Sequence, residues 1–297
     1  MKEIFKRHPR YAHAPEDFSS IPENLWTRCP KCHELLYSRE LEQGLRVCSK
    51  CKYHFQLSAR ERIGMLLDPG TFREEGTDVR SVDPLRFHSP GRSYAEKLGE
   101  YRAEAGTSEA FVYGWGTIEE QDVVLGVTEF NFCAGSMGAA VGEKVTRAIE
   151  LALKRRVPLV LVSSGGGARM QEGVISLMQM AKTLAALDRL KEEGLPYISV
   201  MVDPCLGGTT ASYAMMGDVN VAEPGAYIGF AGRRVIEQTM RQKLPQDAAT
   251  AEFLQQHGMV DLVVPRADLT STLARLIRLY VTCNAALREE RLVGQPA

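Results

Sequence analysis

Two residue patterns in this 297-residue sequence are fit for chemistry, a double pair of cysteines and a pair of glycine-rich turns. Cys29-Pro30-Lys31-Cys32 and Cys48-Ser49-Lys50-Cys51 are separated by 15 residues, giving C-x2-C-x15-C-x2-C. Each C-x2-C turn aims two thiolates at one point. Four thiolates close the tetrahedral shell of a structural Zn²⁺ and leave no position for water. Cys29, Cys32, Cys48 and Cys51 are therefore the expected metal ligands, with two disulfides or four unrelated thiols as the competing arrangement. His33 and His54 stand beside them and are expected at the surface or outside the ligand shell, since the thiolates already fill it.

The first glycine run, Ser164-Gly165-Gly166-Gly167-Ala168-Arg169, follows an apolar stretch and precedes a helical one; Leu206-Gly207-Gly208-Thr209-Thr210 repeats the arrangement. Backbone amides left bare at the start of a helix stabilise negative charge on an oxygen. Two such turns facing one thioester oxygen would form an oxyanion hole, worth about 3 to 4 kcal/mol per donor, and the chemistry it suits is enolate formation. The competing reading is that the glycines only let strands turn tightly into helices. Thr209 or Thr210 is the expected N-cap of the second helix. Neither run has a nucleotide-phosphate pattern, and no G-x-S-x-G elbow or Ser-His-Asp set accompanies them. Cys205 reads as a small core residue rather than a nucleophile, and Met178, Met180, Met215 and Met216 read as core.

The elements that must position these turns follow from apolar periodicity. Strands are expected at Asp122 to Phe130, Pro158 to Ser163, Tyr197 to Val202, Ala226 to Phe230 and Met259 to Val264. Helices are expected at Gly142 to Arg156, Gln171 to Glu193, Thr209 to Met216 and Ala267 to Leu287. This alternation predicts an α/β fold with its chemistry at the strand ends. The organisation reads as an N-terminal extension (1–25), a four-cysteine ribbon (26–60), a connector (61–109) with one helix near Tyr94 to Glu104, the α/β domain (110–290) and a short tail (291–297).

Composition excludes several classes. With 44% hydrophobic residues and Lys+Arg 36 against Asp+Glu 37, the chain is an ordinary near-neutral globular protein, not a polycation that coats nucleic acid. No uncharged stretch approaches the ~18 apolar residues of a membrane span, and the basic start lacks the apolar core of a secretory signal. A cytoplasmic location is expected. Between Arg28 and Arg60, however, seven basic residues face three acidic ones. A positive ribbon face would suit nucleic acid or an anionic ligand such as CoA, or it is simply solvated.

Taken together the motifs resemble a known family, the carboxyltransferase beta subunits of multi-subunit acetyl-CoA carboxylases from bacteria and plastids. The resemblance runs from Ile21-Pro22-Glu23-Asn24-Leu25-Trp26-Thr27 through the four cysteines, Gly135-Ser136-Met137-Gly138, Ser164 to Glu172, Ser176 to Thr183, Gly194 to Val200 and Ile228-Gly229-Phe230-Ala231-Gly232. It implies a crotonase-like fold of ββα units and transfer of CO₂ from carboxybiotin to acetyl-CoA, giving malonyl-CoA. It also implies oxyanion holes whose donors here would be amides of Gly207-Gly208 and Gly166-Gly167, with decarboxylated biotin as base. Gly135, Ser136 and Arg169 fall in matching segments and are assigned to substrate contact. The implied partners are an alpha subunit in an α2β2 assembly, biotin on a separate carrier protein, and biotin carboxylase.

Three departures from the family pattern stand out: Gly232-Arg233-Arg234 replaces Gly-Pro-Arg, Cys133-Ala134 precedes Gly135, and Cys205-Leu206 precedes Gly207. Two readings compete with the carboxyltransferase. One is a zinc-ribbon nucleic-acid-binding protein with a regulatory α/β domain. The other is a standalone hydratase or isomerase, disfavoured because no glutamate pair is evident at the glycine turns.

Overall fold

The computed structural model describes residues 25–245 and 247–293, with side chains described up to residue 282. Their contacts divide the chain into two compact units, with the boundary between Lys52 and Tyr53. Residues 1–24 of the N-terminal extension, including Ile21 to Asn24, lie outside the described residues, as does the end of the tail.

In the first unit, strands β1 (Trp26–Arg28) and β2 (Leu35–Tyr37) pair antiparallel and lead into helix α1 (Ser38–Gln43). Among its described residues, buried Leu36 and Leu41 and the edge-to-face contact of Trp26 with Tyr37 make up a small apolar core. A core this small gives little stability by burial alone, and a metal held by the four thiolates would supply a cross-link.

The second unit opens with α2 (Ala59–Leu66), started by a capping box in which Ser58 and Glu61 exchange hydrogen bonds. After β3 (Arg73–Glu75) and the ribbon of β4 (His88–Ser89) and β5 (Arg92–Ser93), a second capping box of Ser93 and Glu96 starts α3 (Tyr94–Ala105). The sheet is then built from the hairpin β6 (Phe111–Ile118) and β7 (Gln121–Thr128), followed by α4 (Ala139–Arg155), β8 (Leu159–Gly165), α5 (Val174–Glu192) and β9 (Tyr197–Leu206). The short helix α6 (Gly207–Thr210) leads to β10 (Val219–Ala222), β11 (Ile228–Gly229), α7 (Arg233–Met240), α8 (Ala251–Gln256), β12 (Leu262–Val263) and α9 (Arg266–Val293).

Sheet order is β12-β10-β9-β8-β7-β6-β3, with β11 continuing beside the end of β9. From β7 to β12 every pairing is parallel, so both faces need a cover. Alternation in β8 shows how: Leu159 and Leu161 face a core with α3, α4 and α5, while Val160 and Val162 face one with α2 and α9. Among the described residues no helix is long and apolar enough to cross a membrane.

Some expectations shift. The helix expected from Gln171 begins at Val174, because Gly173 takes a left-handed conformation (φ +54°) after one turn of 3-10 helix. Strand β9 runs four residues past Val202 and delivers the second glycine turn directly. Met178 and Met216 are 63% and 58% exposed, because their faces of α5 and of the following 3-10 turn point away from the sheet. Cys205 is fully buried and its thiol is pushed up to about 12 by burial, as suits a core residue. Arg233 occupies the first helical position of α7, where proline is favoured. Its guanidinium donates to the carbonyls of Leu244, Pro245 and Ala248, fastening the turn by another route.

Candidate active site and metal centre

Both glycine turns emerge at the carboxyl ends of adjacent parallel strands, where open α/β sheets place their ligands. The backbone there is shaped in ways only glycine tolerates, with φ of +143° at Gly165, +98° at Gly167 and +63° at Gly207. A Cβ added to Gly207 would lie 2.9 Å from the Cα of Gly167, and one on Gly167 3.1 Å from the Cα of Gly207. The two turns therefore touch backbone to backbone. Ser164 Oγ donates to the carbonyl of Pro204 at 3.1 Å and ties the two strand tips together.

The contact selects among the candidate amides. Gly166 N–H donates to the carbonyl of Ala134 at 2.9 Å, so the structure removes Gly166 from the donor set. Gly208 lies in the first turn of α6, where N–H groups have no intrahelical acceptor. A Cβ on Gly208 would stand 3.5 Å from the nitrogen of Ala168, and one on Gly207 3.7 Å from that of Gly167. The backbone of Gly207-Gly208 thus lies against that of Gly167-Ala168. The expected N-cap is absent: Leu206 caps α6 without a side-chain bond, while Thr210 Oγ1 donates to the carbonyl of Cys205. Helix α6 follows directly from β9, which leaves no residue between strand and helix to turn a hydroxyl back onto the first amides.

Gly135, Ser136 and Arg169 stand behind the turn and not on its open side, which corrects their assignment to substrate contact. A Cβ on Gly165 would fall 2.5 Å from the carbonyl oxygen of Gly135, so residues 165–167 thread between Gly135 and Gly207. Ser136 Oγ donates to the carbonyl of Cys133 and accepts from Arg169 Nε at 3.1 Å. The Arg169 side chain is wholly buried and pairs with Glu109 at 2.7 Å and Glu172 at 3.4 Å. It also donates to Ser81 Oγ, Tyr94 OH and the carbonyl of Ser136. Burial pushes the Glu109 carboxyl up, but the Arg169 guanidinium outweighs it and holds the group below the usual carboxylate range. Arg169 anchors the loop that carries Gly167; no surface of it is left for a ligand.

Glu109, Glu172, Ser81 and Tyr94 are the supporting residues that sequence reasoning missed. The one available signal was a pair of charged side chains, Glu109 and Glu172, in segments otherwise too apolar or glycine-rich to be surface. A second buried cluster, also unforeseen, joins Glu223 to Arg62 and Arg266 beyond the end of β10. His54 belongs with it: it is buried in the second unit and accepts from the Arg266 amide, whereas His33 is exposed. Arg60, counted with the basic ribbon, also lies in the second unit and pairs with Glu74 at 2.7 Å.

In the first unit the four thiol sulfurs lie within 4.8 Å of one another. Cys29 and Cys51 are 3.6 Å apart and Cys32 and Cys48 3.8 Å apart, far beyond a disulfide bond and near the ~3.8 Å edge of a tetrahedron with ~2.3 Å metal–sulfur bonds. Both C-x2-C turns close alike. The residue after the second cysteine, His33 or Lys52, takes positive φ and donates its amide to the carbonyl of the first cysteine. The donor set and its spacing fit zinc.

Residues 56–282 match the model of the carboxyl transferase domain, and residues 26–51 that of the acetyl-CoA carboxylase zinc finger domain. The chain is 50% identical over 298 residues to the acetyl-coenzyme A carboxylase carboxyl transferase subunit beta 1 of Roseiflexus castenholzii, covering 100% of this chain and 99% of that one. It is 52% identical over 262 residues to the subunit beta of Desulforamulus reducens, covering 88% and 90%. Among solved structures it is similar to transcarboxylase 12S with methylmalonyl-coenzyme A bound (TM-score 0.61, 27% identity), spanning 74% of this chain and 40% of that one. A Pseudomonas malonate decarboxylase hetero-tetramer in complex with malonate is similar over 75% of this chain and 82% of that one (TM-score 0.57, 25% identity). The sheet, its helical layers and these neighbours make the fold crotonase-like, preceded by a zinc ribbon. The chain belongs to the carboxyl transferase domain family and carries the zinc finger of acetyl-CoA carboxylase at its amino-terminal end.

Proposed function

We propose that this chain is the beta half of a carboxyltransferase that moves CO₂ from carboxybiotin on a carrier protein to acetyl-CoA, forming malonyl-CoA and so feeding fatty acid synthesis. The observation that carries the reading is the backbone contact of Gly167 with Gly207, which sets the two glycine turns side by side at the strand ends. There the amides of Gly208 and of Gly167 or Ala168 hold the thioester oxygen of acetyl-CoA as its methyl group loses a proton. Carboxybiotin, when delivered, would supply the carboxyl group and, once decarboxylated, the base for that proton. One nitrogen–carbon bond breaks as one carbon–carbon bond forms. The chain's own part is electrostatic: fixed N–H dipoles that need no reorganisation as the enolate charge appears.

The zinc ion is structural in this reading, since four thiolates leave no position open for water. An alpha subunit completes the assembly. Support comes from a row of exposed apolar side chains beside the first glycine turn: Met170 (80%), Val174 (65%), Leu177 (50%) and Met178 (63%). Val174, Leu177 and Met178 recur at the spacing of one face of α5, and Met170 precedes them in the 3-10 turn, as in a surface made for a partner.

The test is the reverse reaction, malonyl-CoA-dependent carboxylation of free biotin read as acetyl-CoA release. The chain alone, the alpha subunit alone and the mixture are compared, and activity is expected only in the mixture. No activity in a mixture shown to assemble overturns the reading. Gly208→Ala is the informative variant, because the one tight contact of its Cβ would be with the flexible Met180 Sδ at 3.2 Å, while it would also stand 3.5 Å from the Ala168 nitrogen, beside the proposed donors.

A further inference from the structure

Residues 133–135, just ahead of α4, wind opposite to the hand that L-amino acids favour. Cys133, Ala134 and Gly135 take φ of +49°, +52° and +63° in succession. Gly135 N–H donates to the carbonyl of Phe132 at 2.9 Å and Ser136 N–H to that of Cys133 at 3.2 Å, so the three make one left-handed turn of 3-10 helix. Glycine enters this region freely, whereas alanine does so against contact of its Cβ with the following carbonyl. The Ala134 side chain is exposed, so packing does not offset that strain. Strain held at a surface residue points to what its backbone does.

That backbone serves as a template for the first glycine turn. The Ala134 carbonyl accepts the Gly166 amide at 2.9 Å, Met137 N–H donates to the carbonyl of Gly167 at 2.8 Å, and the Met137 carbonyl accepts the Arg169 amide at 3.0 Å. Residues 134–137 thus run beside 166–169 as a short parallel pair with Met137 opposite Ala168. Met137 bonds the residues on either side of Ala168, which leaves the Ala168 N–H pointing away from Met137. The buried Arg169 side chain holds the same segment through Ser136 Oγ at 3.1 Å and the Ser136 carbonyl at 2.7 Å. We propose that Ala134 is a positioning residue: its left-handed conformation aims its carbonyl at Gly166, clamps the glycine turn in register and so sets the direction of the Ala168 amide. The clamp stands on the backbone geometry alone; its effect on turnover rests on the carboxyl-transfer reading given above.

The experiment varies what the backbone at this exposed position tolerates. Ala134→Gly and Ala134→Asn accept the left-handed region, whereas the β-branched Ala134→Thr, close to asparagine in size and polarity, does not. In the full chain Ala134→Gly is expected to raise the melting temperature by about 2 to 4 °C, and Ala134→Thr to lower it. An unchanged or lowered value for Ala134→Gly would overturn the proposal, because the strain would be absent. Hydrogen exchange of the Gly166 amide, read by NMR, is expected to be slow in the unaltered chain and in Ala134→Asn, and at least about tenfold faster in Ala134→Thr. Fast exchange in the unaltered chain would overturn the clamp, and that measurement together with Ala134→Gly decides the matter should Ala134→Thr fail to fold. In the mixture with the alpha subunit, Ala134→Thr is expected to lower kcat about tenfold at unchanged KM, with Ala134→Asn restoring it. A role in stability alone would lower the melting temperature and leave kcat of the folded enzyme as it was, so equal kcat in these two variants overturns the link to the Ala168 amide. Melting and exchange need no turnover: an inactive unaltered mixture counts against the carboxyl-transfer reading and leaves the clamp to be decided by them.

Discussion

The two buried ion clusters of the α/β unit are inverses of each other. On one side a single guanidinium, Arg169, stands between two carboxylates, Glu109 and Glu172; on the other a single carboxylate, Glu223, stands between two guanidiniums, Arg62 and Arg266. Each triad has a charge left over, and in each the backbone answers it. The surplus carboxylate accepts amides, with Ser81 and Ala110 on Glu109 and Ala139 on Glu172, while Tyr94 OH donates to Glu172 as well. Among the surplus guanidiniums, Arg266 donates to the carbonyl of Phe55. A charge of either sign can be buried where peptide dipoles of the opposite sense are already fixed. The difference lies in what each cluster holds: Arg169 braces a glycine turn, whereas Glu223 joins α2 to the start of α9.

Removing the shared centre of either cluster tests this most severely. Arg169→Met strands two buried carboxylates and is expected to cost at least about 3 to 5 kcal/mol, read by urea unfolding, with loss of transfer activity even in whatever fraction folds. Glu223→Gln strands two guanidiniums and is expected to cost about 3 kcal/mol while leaving KM and kcat of the folded fraction near the parent values. Equal kinetic damage from both changes would break the distinction between a brace for the site and a brace for the frame.

Acid separates them from surface pairs. Burial raises the Glu223 carboxyl, but Arg266 and Arg62 together hold it near 2, against about 4.3 in an unfolded chain. Because the folded value is depressed, the stabilisation is complete above the unfolded value and is lost as pH falls from about 4.3 toward 2. Glu109 is shifted in the same direction. Melting temperature is therefore expected to drop steeply over that window and much less so in Glu223→Gln.

Smaller effects should follow the geometry. Tyr94→Phe removes the hydroxyl that donates to Glu172 at 2.7 Å and also lies 3.2 Å from Arg169, for about 1 to 2 kcal/mol. Arg92→Ala, which breaks the exposed pair with Glu100, is expected to cost less than about 0.5 kcal/mol. If Arg92→Ala proved the costlier of the two, burial would not be what gives the clusters their weight.

Legibility in the sequence tracks the range of the interactions. The cysteine spacing is local, and the sulfurs indeed meet. The strands from β7 to β9 are legible because unbroken Val and Leu runs suit a sheet covered on both faces. Strand β6 was not, because Gly114 and Gly116 interrupt its pattern. Their reason is tertiary: a Cβ on Gly114 would fall 2.8 Å from the Phe72 ring, against the neighbouring β3 segment. The capping box of Ser58 and Glu61 was a readable start for α2 that went unread. The glycine turns were legible as turns, but not which amides they free. That choice depends on Ala134 capturing Gly166, a contact across 32 residues. Arg169 was misassigned for the same reason, since nothing near it in sequence announces that it will be enclosed.

Apart from Glu172, three residues on, the side-chain partners of Arg169 lie 33, 60, 75 and 88 residues away along the chain. Contacts of such span require loop closure, which sets in only after the intervening segments have found their places. The glycine turn is consequently finished by the domain as a whole and not by its own sequence. A nascent or partly folded chain presents no ordered glycine turn, so whatever ligand the turn receives can be bound only late in the life of the molecule, by copies that have completed folding.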